Sequence, residues 1–310
     1  MAPRKLILVV AFLLAKLNAF SFVEPKTSYL LVLGVAQDAG YPQMGCTKTC
    51  CTQAWGNPKM RRNVVALALV DPTHKKWWLF EATPDIRQQL QDFSVQTHRQ
   101  YPYLPEGIFI THAHIGHYTG LMEFGREAMN TNGLKVYVLP QMQAFLTQNG
   151  PWSQLVKLKN INLISLTADE PLSIENNSVT AFTVPHRDEY SETAGFRITT
   201  ATQKYLFIPD IDKWSKWNKN IIDQVKQVDI ALLDATFYTN TELGNRPIAE
   251  VPHPLVSETE ALFEKEEQQT KRKLYFIHFN HTNPLMWDMA TQKQLVGRGF
   301  NFARQGQLLY

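Results

Sequence analysis

The stretch Phe109-Ile110-Thr111-His112-Ala113-His114-Ile115-Gly116-His117 places three histidines within six residues, directly after the apolar run Ile108-Phe109-Ile110. Residues two apart in an extended segment point the same way. His112 and His114 therefore face one point, and a turn through Ile115-Gly116 brings His117 round to it. Neutral imidazole is the commonest side-chain ligand for zinc and similar metals. Nine histidines spread over 310 residues would not crowd in this way through composition alone.

Working outward, other chemistry-bearing residues also sit where short apolar runs end. Glu81 follows residues 77–80, His186 follows Val184, and Asp210 follows Phe207-Ile208. Asp234 follows Leu232-Leu233, and His278 follows Phe276-Ile277. Polar groups at the ends of several strands can converge on one rim of a sheet, a common place for a site carried by loops. Strands are expected at 29–35, 64–70, 77–80, 108–111, 136–139, 161–166, 179–184, 195–200, 205–208, 230–233 and 274–278. Helices are expected at 84–93, with Pro84 in the first turn, and at 121–129, 214–225 and 257–267. This mixture predicts sheets covered by helices, an α/β (α+β) class. No repeat, low-complexity tract or long linker divides residues 20–310, which read as a single domain.

The chain is long enough for a large core, and its 44% hydrophobic and 19% charged residues read as globular. A net charge of +3, with no basic stripe interleaved with aromatics, gives no reason to expect nucleic acid as a partner. Lys271-Arg272-Lys273 is short and leads into a strand. The N-terminus has the pattern of a secretory signal: Arg4 and Lys5, an apolar core from Leu6 to Ala15, and small Ala19 at the cleavage position. Residues 1–19 are therefore expected to be removed, leaving an exported (periplasmic or secreted) protein without a membrane anchor. The oligomeric state is left open.

These motifs resemble the metallo-β-lactamase superfamily, whose signature is a strand followed by His-x-His-x-Asp-His, then a distant His, a bridging Asp and a last His. His112, His114 and His117 match the first motif, and His186, Asp210 and His278 the later ones. Within the superfamily the chain looks most like the coenzyme PQQ synthesis protein B group and the neighbouring phosphonate-pathway phosphodiesterases. Residues 34–43 (GVAQDAGYPQ), 81–85 (EATPD), 233–237 (LDATF) and 281–284 (HTNP) carry that likeness. The resemblance implies an αββα sandwich, two face-to-face β-sheets flanked by helices, with the site at one edge. It implies one ion held by His112, His114 and His186, and another held by His117, Asp210 and His278. Zinc is the expected metal, with Fe2+ or Mn2+ as alternatives. Gly116 departs from the pattern, because it stands where the superfamily has an Asp that binds the second ion. The second ion is then expected to bind more weakly, unless water or Asp38 fills the gap, or only one ion binds. Glu81 stands where the superfamily commonly has an Asp supporting the histidines.

Cys46, Cys50 and Cys51 share one loop. They read either as a disulfide of Cys46 with one neighbour plus a free thiol, or as a structural zinc site. In the phosphodiesterase relatives such a cluster is joined by a His three positions after the last active-site His; here that is His281. Asp210 is preferred over Asp212 as the bridging residue, with Asp212 then capping a helix before Trp214. Asp234 reads either as support for the site or as an ordinary loop hydrogen-bonder. His253 reads either as a proton donor, as in related enzymes, or as a loop histidine. Asp188, Glu189 and Tyr190 read as a solvated loop, and Trp77, Trp78, Trp214 and Trp217 as packing residues. The expected activity is metal-dependent hydrolysis of a small-molecule phosphodiester, ester or lactone, with Asp210 and His253 as catalytic residues. The alternatives are an iron-dependent oxygenase, as the PQQ protein implies, and a non-catalytic metal-binding relative.

Overall fold

The computed structural model describes residues 25–243, 247 and 251–310; the expected export signal at 1–19 lies outside them. The strands are β1 (Tyr29–Gly34), β2 (Ala66–Asp71), β3 (Lys76–Phe80), β4 (Gly107–Phe109), β5 (Leu134–Val138), β6 (Ile161–Ser165) and β7 (Pro171–Ile174). They continue with β8 (Asn177–Val184), β9 (Thr193–Thr199), β10 (Lys204–Ile208), β11 (Ile230–Asp234), β12 (Leu274–Ile277), β13 (Asn301–Phe302) and β14 (Leu308–Leu309). They form two sheets, ordered β14-β1-β2-β3-β4-β5-β6 and β13-β12-β11-β10-β9-β8-β7.

Strands β1, β2 and β4 of the first sheet are buried on both faces, which explains their near-continuous apolar sequence, whereas the edge strand β6 is largely exposed or half-buried. In β2, Leu67 and Leu69 belong to the core that joins the two sheets, while Ala66, Ala68 and Val70 pack toward the helices. The helix Ile86–Gln96 meets that outer face with Ile86, Leu90 and Phe93, one helical stripe. This is the αββα sandwich expected from the sequence. Between the sheets, Phe80 stacks on Phe109 at 4.9 Å and meets Phe196 and Phe207 edge-on at 5.4 and 6.3 Å. Such aromatic pairs contribute ~0.5–1.5 kcal/mol each beyond their buried area. Phe80, Phe109 and Phe207 lead directly into the segments that carry Glu81, His112 and Asp210, so the sheets are tied together just beneath those residues.

Strand directions bring the chemistry to one rim. In the first sheet β1 and β3 both run antiparallel to β2, and β4 is parallel to β3. In the second, β8 and β10 both oppose β9, and β10, β11 and β12 are parallel. The carboxyl ends of β1, β3 and β4 therefore share one edge, as do those of β8, β10, β11 and β12. Backbone bonds join the two edges: Ala194 N donates to Thr111 O at 3.0 Å, and Gln37 N to Phe279 O at 2.8 Å.

Several helix expectations need correction. Residues 121–129 form only a 3-10 segment, Thr119–Phe124, that stops at Gly125. Residues 214–225 are split into Trp214–Lys216 and Ile221–Lys226, because the Asn220 side chain accepts from Ile222 N at 2.8 Å and starts a new helix. The helix expected at 257–267 is Val256–Leu262, with the Glu258 side chain accepting from Leu255 N at 2.9 Å. Pro84 precedes its helix rather than opening it. Trp77, Trp78, Trp214 and Trp217 are buried packing residues. Among the described residues, no helix is long and apolar enough to cross a membrane.

Candidate metal centre

The three histidines after β4 converge as their spacing implied. His114 ends the extended segment, and one helical turn, Ile115–Tyr118, swings His117 back toward it. His117 is locked there by backbone, since Ala82 N donates to His117 O at 2.8 Å. Asp210 Oδ2 lies 3.5 Å from His112 Nε2, 3.2 Å from His186 Nε2, 4.0 Å from His114 Nδ1 and 3.8 Å from His117 Nε2. His186 Nε2 lies 3.3 Å from His114 Nδ1. Two ligands of one tetrahedral ion, each ~2.1 Å from it, are about 3.4 Å apart, so these separations suit a shared cation.

The ligand atoms fall into sets, each within 4.8 Å: His112, His114, His186 and Asp210 in one, and Asp38, His117 and His278 in another. The sequence placed Asp210 with His117 and His278; here Asp210 groups with His112, His114 and His186, and also with Asp234, His253 and His278, while Asp38 stands beside His117 and His278. Hydrogen-bond accounting supports a cation in both. His112 Nε2, His117 Nε2, His278 Nε2, Asp38 Oδ1 and Asp210 Oδ1 are buried without a hydrogen-bond partner. Buried polar atoms left unpaired are costly, and a cation within each set would satisfy them. The residues present fit a metal.

The opposite nitrogen of each imidazole is turned to a protein oxygen. His112 Nδ1 lies 2.8 Å from Thr111 Oγ1, and His117 Nδ1 lies 3.3 Å from Glu81 Oε1. His186 Nδ1 lies 3.2 Å from Asp212 Oδ1, and His278 Nδ1 lies 3.0 Å from Thr236 Oγ1. His114 Nε2 lies 3.4 Å from Glu189 Oε2. Such partners fix the ring orientation and tautomer of metal-binding histidines. Glu81 is fully buried beside His117. Glu81 and His278 both hold left-handed backbone, at φ 76° and 66°. That conformation is unfavourable by roughly 1–3 kcal/mol per residue and tends to persist at functional sites.

Asp212 is corrected. Its carboxylate braces His186 and accepts from Lys216 Nζ at 2.8 Å, and it does not cap the Trp214 segment. Its partner lies 26 positions upstream, which spacing alone could not reveal. Thr111 and Thr236 were missed, because a threonine beside a histidine carries no distinctive pattern. Glu189 is half exposed yet touches His114, and Tyr190 is exposed. Asp234 accepts from Ile211 N, Thr236 N and Thr236 Oγ1, and lies 2.9 Å from His253 Nδ1. The space beside Gly116 is taken by Asp38, one of the groups the sequence offered to fill it. A surface groove lined by Trp214, Trp217, Lys219 and Leu262 contains none of these residues.

Electrostatics follow from burial and crowding in the metal-free chain. Burial and the charge of His117 hold His112 well below the ordinary imidazole range. Burial opposes the charge on His117, but Glu81 and Asp38 outweigh it and raise it well above that range. Burial would also raise Asp210, yet His253 and His186 hold it well below the usual carboxylate range. His253 is buried, but Asp234 and Asp210, at 2.9 and 3.1 Å, push it up to about 10.

Cys46, Cys50, Cys51 and His281 form a further set with ligand atoms within 4.8 Å. Cys51 Sγ lies 3.3 Å and Cys50 Sγ 3.9 Å from His281 Nδ1. The Cys50 and Cys51 sulfurs are 4.0 Å apart, and all three thiols are free. Burial pushes the Cys51 thiol up to about 12 and raises Cys50. A cation would have to displace those protons.

The profile of the Beta-lactamase superfamily domain matches residues 76–279. Coenzyme PQQ synthesis protein B from Methylorubrum populi is 25% identical over 312 aligned positions, covering 91% of this chain and 99% of the relative. The zinc-bound PqqB structure from Methylobacterium extorquens superimposes with a TM-score of 0.74 at 21% identity, covering 91% of this chain and 99% of that one. A diphosphatase of the PhnP family superimposes with a TM-score of 0.64 at 20% identity, covering 91% and 96%. With the fold, the ordered ligand motifs and the profile match in agreement, the chain belongs to the metallo-β-lactamase superfamily, and within it is PqqB-like.

Proposed function

We propose that the protein is a metal-dependent hydrolase that cleaves an ester-type bond, a phosphodiester, ester or lactone, in a small molecule. The observation that carries this reading is the fully buried Asp210 carboxylate. It lies at ion-pair distance from His112, His114, His117, His186 and His253 at once, between the two ligand sets. Superfamily membership and the fold shared with a diphosphatase support it.

His112, His114, His186 and Asp210 would hold one ion, and His117, Asp210 and His278 would help hold a second, with zinc, Fe2+ or Mn2+ as candidates. A bound divalent ion supplies Lewis acidity and a water whose pKa falls toward ~7. Asp210 orients the attacking group. Asp234 and Asp210 together hold His253 by Nδ1, which commits Nε2 to proton transfer toward the leaving group. Replacing His253 by Gln should leave the metal content unchanged and lower kcat by about 10²–10⁴-fold. An acid with a raised pKa is protonated at neutral pH and lost as pH rises. The alkaline fall in wild-type activity should therefore disappear in His253→Gln, as pH–rate profiles on a chromogenic phosphodiester would show. Retention of both kcat and the alkaline limb would remove His253 from the mechanism.

A second reading, an iron-dependent oxygenase, draws on the full-length similarity to coenzyme PQQ synthesis protein B. Elemental analysis of native protein separates the two, since iron with substrate-dependent oxygen uptake would favour the second. We also propose export with cleavage after Ala19. Mass spectrometry of the native protein should then find a chain starting near Phe20, whereas an intact Met1 region rules out cleavage.

A further inference from the structure

We propose that Asp38, on the loop after β1, supplies the carboxylate of the second ion site in place of a residue at position 116. The inference rests on the reading of the rim as a metal centre and adds a ligand to it.

Three observations carry it. The first is steric. A Cβ built on Gly116 would lie 2.2 Å from Asp38 Oδ1, 2.5 Å from Asp38 Cα and 2.9 Å from Asp38 Cβ. The volume that a side chain at 116 would fill is occupied by the Asp38 side chain itself. Gly116 does not hold left-handed backbone, so Asp38 is the obstacle to a larger residue there.

The second is the arrangement of unpaired atoms. Asp38 Oδ1 lies 3.2 Å from His117 Nε2, and the ligand atoms of Asp38, His117 and His278 are mutually within 4.8 Å. Asp38 Oδ1, His117 Nε2 and His278 Nε2 are all buried without a hydrogen-bond partner. An oxyanion and two imidazole nitrogens facing one another are satisfied together by one cation.

The third is the rigidity of the loop. Gln37 N donates to Phe279 O, and Phe279 N to Val35 O, both at 2.8 Å. Asn280 Nδ2 donates to Gln37 Oε1 at 2.7 Å, and Gly40, at φ +71°, turns the chain away. Asp38 is thus fastened to the same strip of backbone that carries His278. The negative charge is kept in the site but comes from a different strand end.

The test is metal counting and calorimetric titration with Zn2+ and Mn2+ on the full chain, wild type against Asp38→Asn and Gly116→Ala. Asp38→Asn keeps the shape and removes the charge; far-UV circular dichroism and the melting temperature of the metal-free forms control for folding. Wild type should take two active-site ions. In Asp38→Asn the second should weaken by more than the tenfold that loss of even an outer partner typically costs, about 10–100-fold. Gly116→Ala removes no ligand atom, but its methyl displaces Asp38, so it should weaken the same ion. Wild-type affinity for both ions in Asp38→Asn would overturn the assignment, as would a single wild-type ion that Asp38→Asn leaves unchanged. In either case the metal-centre reading stands. If wild type takes no more ions than the His112→Ala/His114→Ala variant, the metal-centre reading itself fails.

Discussion

Exchanging His112 and His114 together for alanine should strip the active site of its first ion and reduce hydrolysis to near background. The variant leaves His186 and Asp210 as the remaining members of a four-residue ligand set. Binding a metal lowers the pKa of water from 15.7 to ~7; even if reduced nucleophilicity cancels half of that gain, the loss is on the order of 10⁴-fold in rate. Folding should survive, because both rings face the centre and the aromatic pairs beneath it remain intact. Elemental analysis should show that first ion gone and any cysteine-bound ion retained. An unchanged stoichiometry would end the assignment of these histidines as ligands.

The second large effect concerns the cysteine loop. If Cys46, Cys50, Cys51 and His281 hold zinc, the ion joins segments 230 residues apart in sequence. Structural zinc is worth ~10–16 kcal/mol in isolated zinc-finger peptides, comparable to the whole stability of a domain. In a preformed sandwich only part of that is lost with the metal. A loss of several kcal/mol, at ~2–4 °C per kcal/mol for a large domain, lowers the melting temperature by roughly 10 °C or more. His281→Ala should therefore release one ion and melt earlier. His281 also lies three residues after His278, and the cysteine loop continues from the one that carries Asp38. The same variant should accordingly weaken the second active-site ion. A mapped disulfide between Cys46 and either neighbour in native protein would refute the zinc assignment.

Much of this centre was legible in the sequence because most of its residues stand where short, largely buried apolar strands end. Period-two spacing gave His112 and His114, and the end of an apolar run gave His186, Asp210 and His278. What stayed hidden depends on pairings across the fold. Asp212 reads as a cap until His186 is seen beside it, and Thr111 and Thr236 carry no pattern until His112 and His278 are seen beside them. The helices Pro140–Gln148 and Met289–Gly297 bury few residues, so they leave little periodic pattern. Strands β13 and β14 are two residues each, too short to register as a pattern.

The centre draws on both sheets: His112, His114 and His117 come from the first, and His186, Asp210 and His278 from the second. Neither half of the chain can therefore complete a site alone. During synthesis the histidine triplet emerges more than 150 residues before His278, so it must wait, unsatisfied, for the far edge of the sandwich. An ion held by residues of both sheets would fasten them together at the rim.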